Sequence, residues 1–78
     1  MNYFIELTSI RGNTRAFRVD AILQVVNQKD FSDSDYEVFP ELKERKEWAY
    51  IVLQCDGRAY YVQESYEEVM RKIKESFA

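Results

Sequence analysis

The chain has 78 residues and a formal net charge of −3, from 11 basic and 14 acidic side chains, with no histidine and one cysteine, Cys55. A single cysteine excludes an internal disulfide, and the lack of histidine removes the commonest metal ligand and general base. The acidic balance, with a pI near 4.9, argues against a phosphate-binding face, and so against nucleic acid as a default partner. One domain is expected at this length, and it buries only about 60–65% of the surface of its unfolded chain. Small domains lean on disulfides, metals or partners, and self-association is the most available of these here. The N-terminal apolar run is interrupted by Glu6, so no signal peptide is expected. No stretch approaches the length of a membrane span. The expectation is a soluble cytoplasmic protein, and the lone cysteine fits a reducing compartment.

In chain order, Tyr3 to Ser9 (YFIELTS) reads as a first strand, Arg11-Gly12-Asn13 as a turn and Thr14 to Val19 as a second strand. A three-residue loop places Leu7 opposite Phe17, Ile5 opposite Val19 and Glu6 opposite Arg18, with Asn13 suited to a left-handed position. Asp20-Ala21 makes a corner, and Ile22 to Gln28 a third strand whose start also fits one helical turn. Val25 is placed in the core ahead of Val26. Residues 29–46 (KDFSDSDYEVFPELKERK) break the pattern and are long for a connection. Three readings stay open: a protruding hairpin arm, a partly disordered loop, or a short helix from Pro40 to Lys46 with proline in its first turn. Phe31, Tyr36, Val38 and Phe39 are too apolar for a solvated loop, which favours an ordered excursion packed on the sheet or on a partner.

Trp48 to Phe77 is the most informative stretch. Asp56-Gly57 lies between two β-rich runs and suits a two-residue type I′ turn. That register pairs Leu53 with Tyr60, Ile51 with Val62, Val52 with Tyr61 and Tyr50 with Gln63. Alternation gives one face of Ile51, Leu53, Tyr60 and Val62, and another of Trp48, Tyr50, Val52 and Tyr61. Ser65-Tyr66-Glu67-Glu68 then reads as a capping box opening a helix. Tyr66, Val69, Met70, Ile73 and Phe77 form its apolar stripe, expected to cover the Ile51/Leu53/Tyr60/Val62 face. Glu67 with Arg71, Glu68 with Lys72 and Arg71 with Glu75 are pairs four apart on its other side. The second sheet face still needs a cover, from a sheet that curls on itself, from another subunit or from a ligand.

Two blocks of the chain resemble the small flagellar and swarming-motility proteins of the FlbD-like type and their uncharacterised bacterial relatives. The matching pieces are Leu7-Thr8, Gly12, Phe17-Arg18-Val19-Asp20-Ala21-Ile22, Asp56-Gly57 and, most specifically, Val62-Gln63-Glu64-Ser65-Tyr66-Glu67-Glu68-Val69. Residues 29–46 are an insertion relative to that pattern, and Arg18 stands where the family often has asparagine. The resemblance implies a small β-sheet protein with a C-terminal helix rather than a particular activity.

No catalytic or metal constellation stands out. Asp33, Asp35, Glu37, Glu41 and Glu44 match positions of a calcium-loop spacing, but Val38 occupies the position that needs glycine and no helix precedes Asp33. Cys55 reads as a small structural residue beside a turn. The cap accounts for Ser65, which has no histidine to activate it. Lys43, Arg45 and Lys46 are offset by Glu41, Glu44 and Glu47. The expected fold is therefore α+β, an antiparallel meander of about five strands with a C-terminal helix packed on it. The expected role is a non-catalytic, cofactor-free homo-oligomer, or a module that binds another protein. Its candidate interface is Trp48, Tyr50, Val52 and Tyr61 on the sheet with Phe31, Tyr36 and Phe39 from the insertion. The alternative is a nucleic-acid or small-ligand binder that uses the aromatic face, where Phe4, Phe17 and the tyrosines could stack bases.

Overall fold

The computed structural model describes residues 3–45 and 47–77. Five antiparallel strands occur in chain order: β1 (Phe4–Thr8), β2 (Thr14–Arg18), β3 (Ile22–Asn27), β4 (Ala49–Leu53) and β5 (Ala59–Val62). Two α-helices accompany them, α1 (Asp33–Val38) inside the insertion and α2 (Tyr66–Ser76) after β5, with 3-10 turns at Val19–Ala21, Gln28–Asp30 and Pro40–Glu44. The strands form two sheets, β1–β2 and β3–β4–β5, joined by an isolated bridge between Ser9 and Val62. This is the expected α+β arrangement with a C-terminal helix.

The first hairpin closes through a three-residue loop one residue earlier than expected, and the second through a longer loop, so both registers move by two residues. In the first, Ile5 pairs with Phe17 and Leu7 with Arg15, where the sequence suggested Leu7 with Phe17. The Ser9 N–H donates to Asn13 O at 2.7 Å and the Gly12 N–H to Ser9 O at 2.9 Å. Gly12, at φ 95°, takes the left-handed position expected of Asn13. The expected Glu6–Arg18 pair does not form, and Arg18 instead makes an ion pair with Asp20 at 2.8 Å.

In the second hairpin Tyr50 pairs with Tyr61 and Ile51 with Tyr60. Asp56 does not enter the left-handed region, and only Gly57 does, at φ 66°. The Asp56 carboxylate instead accepts from the Arg58 N–H at 2.9 Å and the Tyr60 hydroxyl at 2.6 Å, while the Gly57 N–H reaches Leu53 O. A carboxylate that organises the loop this way removes the need for a two-residue type I′ turn. A two-residue slip keeps every side chain on its face, so the two surfaces read from the sequence survive both corrections.

The main core gathers Ile5, Leu7, Phe17, Ala49, Ile51, Val62 and Val69, with Val25, Leu53, Tyr60 and Ile73 at its margin. Helix α2 covers this face as expected and packs against β1 and β3. Ser65 caps it by accepting from the Glu68 N–H at 3.2 Å. The reciprocal half of the capping box is absent, because the Glu68 carboxylate pairs with Arg71 at 2.6 Å. Arg71 also holds Glu75, four residues on. Lys72 donates to the Glu6 carbonyl at 2.9 Å. Glu64 receives the Thr8 N–H and hydroxyl at 2.9–3.1 Å, and the Gln63 N–H donates to Thr8 O at 2.8 Å. The edge of β1 away from β2 is therefore closed by polar side chains and a short stretch of backbone pairing.

The order of Val25 and Val26 is reversed. Val26 is buried, at 8% exposure, and Val25 is half-buried. Val25 does lie on the main core, whereas Val26 lies opposite Tyr50 on the second face. That face is deeper than an isolated sheet would make it, because the insertion covers it.

Candidate interaction surfaces

The insertion is ordered and folds back on its own sheet. Its first turn is anchored by Gln28, only 9% exposed. The Gln28 Oε1 accepts the Trp48 backbone N–H at 2.8 Å, and its Nε2 donates to the carbonyls of Arg45 at 2.7 Å and Leu42 at 3.2 Å. The side chain thus prolongs the β3–β4 pairing past Asn27 and ties both ends of the insertion together. Helix α1 opens on Ser32, whose N–H and hydroxyl both donate to the Asp35 carboxylate, at 2.7 and 3.0 Å, and the following turn has Pro40 in first position. The short helix expected over Pro40–Lys46 is a 3-10 helix ending at Glu44, and Lys46 lies outside the described residues.

The expected interface residues are brought together, but mostly against one another. The Phe31 ring lies 5.2 Å from Tyr50, 5.7 Å from Tyr61 and 6.1 Å from Tyr36, and Phe39 lies 5.1 Å from Tyr61. Edge and tilted contacts at these spacings are the favourable ones for aromatic pairs. Trp48 is 5% exposed, and the Arg45 guanidinium sits 4.6 Å above its ring. Its indole N–H has no hydrogen-bond partner among the described residues. Val52 is half-buried on the same face. The second face of the sheet is therefore covered from within the chain, by the excursion packed on it.

Asp35 pins α1 to the sheet by accepting from the Tyr61 hydroxyl. Burial pushes the Asp35 carboxyl up, but hydrogen bonds from Tyr61 and from the Ser32 amide and hydroxyl outweigh it and hold the carboxyl below its ordinary value. Tyr61 is pushed far above its usual value, first by burial and then by the hydrogen bond to Asp35 and its charge. Tyr50 is raised by burial and then by the Asp35 charge.

The signs of these shifts set a pH dependence. A depressed carboxyl stabilises the fold above its unfolded value, and that contribution is lost as pH falls through the folded one; a raised phenol stabilises below its unfolded value and is lost as pH rises toward the folded one. Tyr61→Phe is expected to cost about 1.5 kcal/mol near neutrality. That difference should be flat between roughly pH 5 and pH 9 and shrink on both sides. Urea unfolding of both proteins across pH checks this, and a difference independent of pH would show that the pair carries no linkage.

Two surfaces stand out among the described residues. One is an apolar groove of about 330 Å³ between β3 and α2, lined by Ile22, Leu23, Val25, Met70, Ile73 and Phe77 among others. Leu23 and Phe77 are each 63% exposed there. The ladder is irregular between Ile22 and Gln24, which leaves Leu23 outside the regular pairing. The apolar stripe of α2 is wider than the face it covers, so Met70 and Phe77 project past the sheet. The other surface is a cleft of about 290 Å³ between the two hairpins, which includes Arg11, Arg15, Phe17 and Tyr60.

The other constellations find ordinary places. The acidic residues with calcium-loop spacing lie on α1 and the Pro40–Glu44 turn, and no group suited to a metal occurs among the described residues. Cys55 lies beside the turn of the second hairpin, where it is exposed. No helix among the described residues is long and apolar enough to cross a membrane. Gln28 and Leu42, both buried, were not marked by sequence reasoning, since a glutamine at a strand end and a leucine in a charged segment carry no periodic signal. Met70 and Phe77 belong to the apolar stripe expected to be buried on the sheet, but they are 38% and 63% exposed, because the stripe is wider than the face it covers. Comparison with known proteins gave no match to a family model, a curated protein or a solved structure.

Proposed function

We propose that this protein is a small non-catalytic interaction module that associates with a second copy of itself through the β3–α2 groove. The observation that supports this reading is the coincidence of exposed Leu23, Met70 and Phe77 with the outer edge of β3. Apolar residues grouped in this way on a small domain mark contact surfaces. The β3 sequence, Ile22-Leu23-Gln24-Val25-Val26-Asn27, contains no charge and no proline, the usual protections of an open edge. Such an edge can pair with its own copy about a two-fold axis, and the groove beside it is then buried twice. The rings of Tyr50 and Tyr61 are engaged by Phe31 and Phe39, which disfavours base stacking on that face and so the nucleic-acid alternative. A bacterial, cytoplasmic setting and kinship with the FlbD-like proteins are proposed on the Val62–Val69 block and the Phe17–Ile22 corner alone.

Light scattering tests the reading. The wild type is expected to have twice the chain mass at about 100 μM, and Leu23→Glu or Met70→Glu to be monomeric with an unchanged circular dichroism spectrum, because a charge placed in an apolar contact costs several kcal/mol. A wild-type monomer at that concentration would refute self-association.

A further inference from the structure

The cleft between the hairpins combines an open strand edge with unpaired positive charge. Pairing between β1 and β5 ends at the Ser9–Val62 bridge, and the chain then leaves through the loop to β2. The Gln63 N–H points toward β1, since it donates to Thr8 O. Backbone groups alternate along a strand, so the N–H and C=O of Tyr61 and Ala59 point to the same side; the Ser9–Val62 bridge sets Ile10 opposite the Tyr61 carbonyl, which leaves the Tyr61 N–H and both backbone groups of Ala59 with no strand beside them among the described residues. Both residues line the cleft. Its apolar part is formed by Phe17 and Tyr60, whose rings meet edge to face at 5.8 Å.

Arg11 and Arg15 line the same cleft. Both are exposed, and neither has an acidic partner within 4.0 Å among the described residues. In a chain of net charge −3, two such arginines beside one strand edge define a local preference for anions. An exposed edge with a neighbouring pocket is the arrangement by which sheets accept an added strand, the backbone giving affinity and alternate side chains giving specificity.

We propose that this cleft binds an extended peptide segment bearing acidic side chains. The segment adds a strand to β5 at Ala59 and Tyr61, seats an apolar side chain against Phe17 and Tyr60, and presents carboxylates to Arg11 and Arg15. The site is separate from the β3–α2 groove, so Leu23→Glu leaves it intact and the two proposals fail independently.

The test uses a short dye-labelled peptide alternating valine and glutamate, titrated into the full chain at low salt and followed by fluorescence anisotropy and by amide chemical shifts. Saturable binding is expected, with shifts at Ala59 and Tyr61. The Arg11→Glu/Arg15→Glu variant should bind at least about tenfold more weakly, as loss of charge-assisted hydrogen bonds requires, and both residues are exposed so the fold should persist. Methylating alternate peptide nitrogens on the face that meets β5 should weaken binding comparably. Absence of binding, equal binding of a valine–lysine peptide, or insensitivity to methylation would overturn the proposal. So would free glutamate reproducing the Ala59 and Tyr61 shifts at the same concentration, which would reduce the cleft to a small-anion site.

Discussion

Gln28→Leu is expected to destabilise the protein by about 3–4 kcal/mol, because it strands the buried Trp48 N–H and Leu42 carbonyl and removes the donor of the part-buried Arg45 carbonyl. Leucine matches glutamine in size but neither accepts nor donates. The Trp48 N–H loses its 2.8 Å acceptor and the Arg45 carbonyl its 2.7 Å donor, at a site where Gln28 itself is 9% exposed. Each unsatisfied group costs about 1–3 kcal/mol, whereas a hydrogen bond replaced by water costs far less. Urea unfolding followed by Trp48 emission checks this directly, since Trp48 is the only tryptophan. Gln28→Glu sharpens the result. Its carboxylate still accepts from Trp48 but faces the carbonyls of Leu42 and Arg45. It should be destabilising at neutral pH and recover as pH falls and the protonated acid regains a donor. A loss below about 1 kcal/mol for leucine would mean that water reaches these groups and that Gln28 does not join the insertion to β4.

Leu42→Ala is expected to cost about 2–5 kcal/mol, and to lower the melting temperature by roughly 10–30 °C for a domain of this size. Leu42 has no exposed surface, yet it sits in a five-residue 3-10 helix among glutamates and lysines. With Val26 and Trp48 it is buried outside the main cluster, on the face that the insertion covers. Removing its side chain leaves a cavity under a rigid aromatic cover, which has little freedom to collapse. Differential scanning calorimetry distinguishes this from an insertion that merely lies on a sheet stable by itself. In that case Leu42→Ala would shift the transition by only a degree or two, and the insertion would melt separately and earlier.

Local chemistry carried much of this structure. The alternation in Ala49–Leu53 and Ala59–Val62 set the two faces of the central hairpin, and those faces stayed correct although both hairpin registers moved by two residues. The registers were misread because each turned on loop closure by a side chain or a glycine. Asp56 bonds to Arg58 and Tyr60, and Gly12 replaces Asn13 at the left-handed position, and neither choice has a periodic signature. Helix α2 was legible from Ser65 and its apolar stripe, although Glu68 preferred Arg71 to the capping box. In the insertion, the clustering of Phe31, Tyr36 and Phe39 announced an ordered excursion without saying what it would cover.

Composition and near-neighbour patterning specify the five strands, the division of side chains between sheet faces, helix α2 over the first face and the lack of any histidine or disulfide chemistry, but not helix α1. These follow from near-neighbour sterics, periodicity and composition, which act over a few residues. Long-range contacts settle that the second face is closed by the chain's own residues 28–45, that Gln28 joins that segment to β4, and that the β3–α2 groove and the arginine-lined cleft stay open. Those outcomes depend on contacts between residues far apart in the chain, such as Asp35 with Tyr61 and Gln28 with Trp48. Their energies arise from mutual burial and hydrogen-bond satisfaction, which no local pattern encodes.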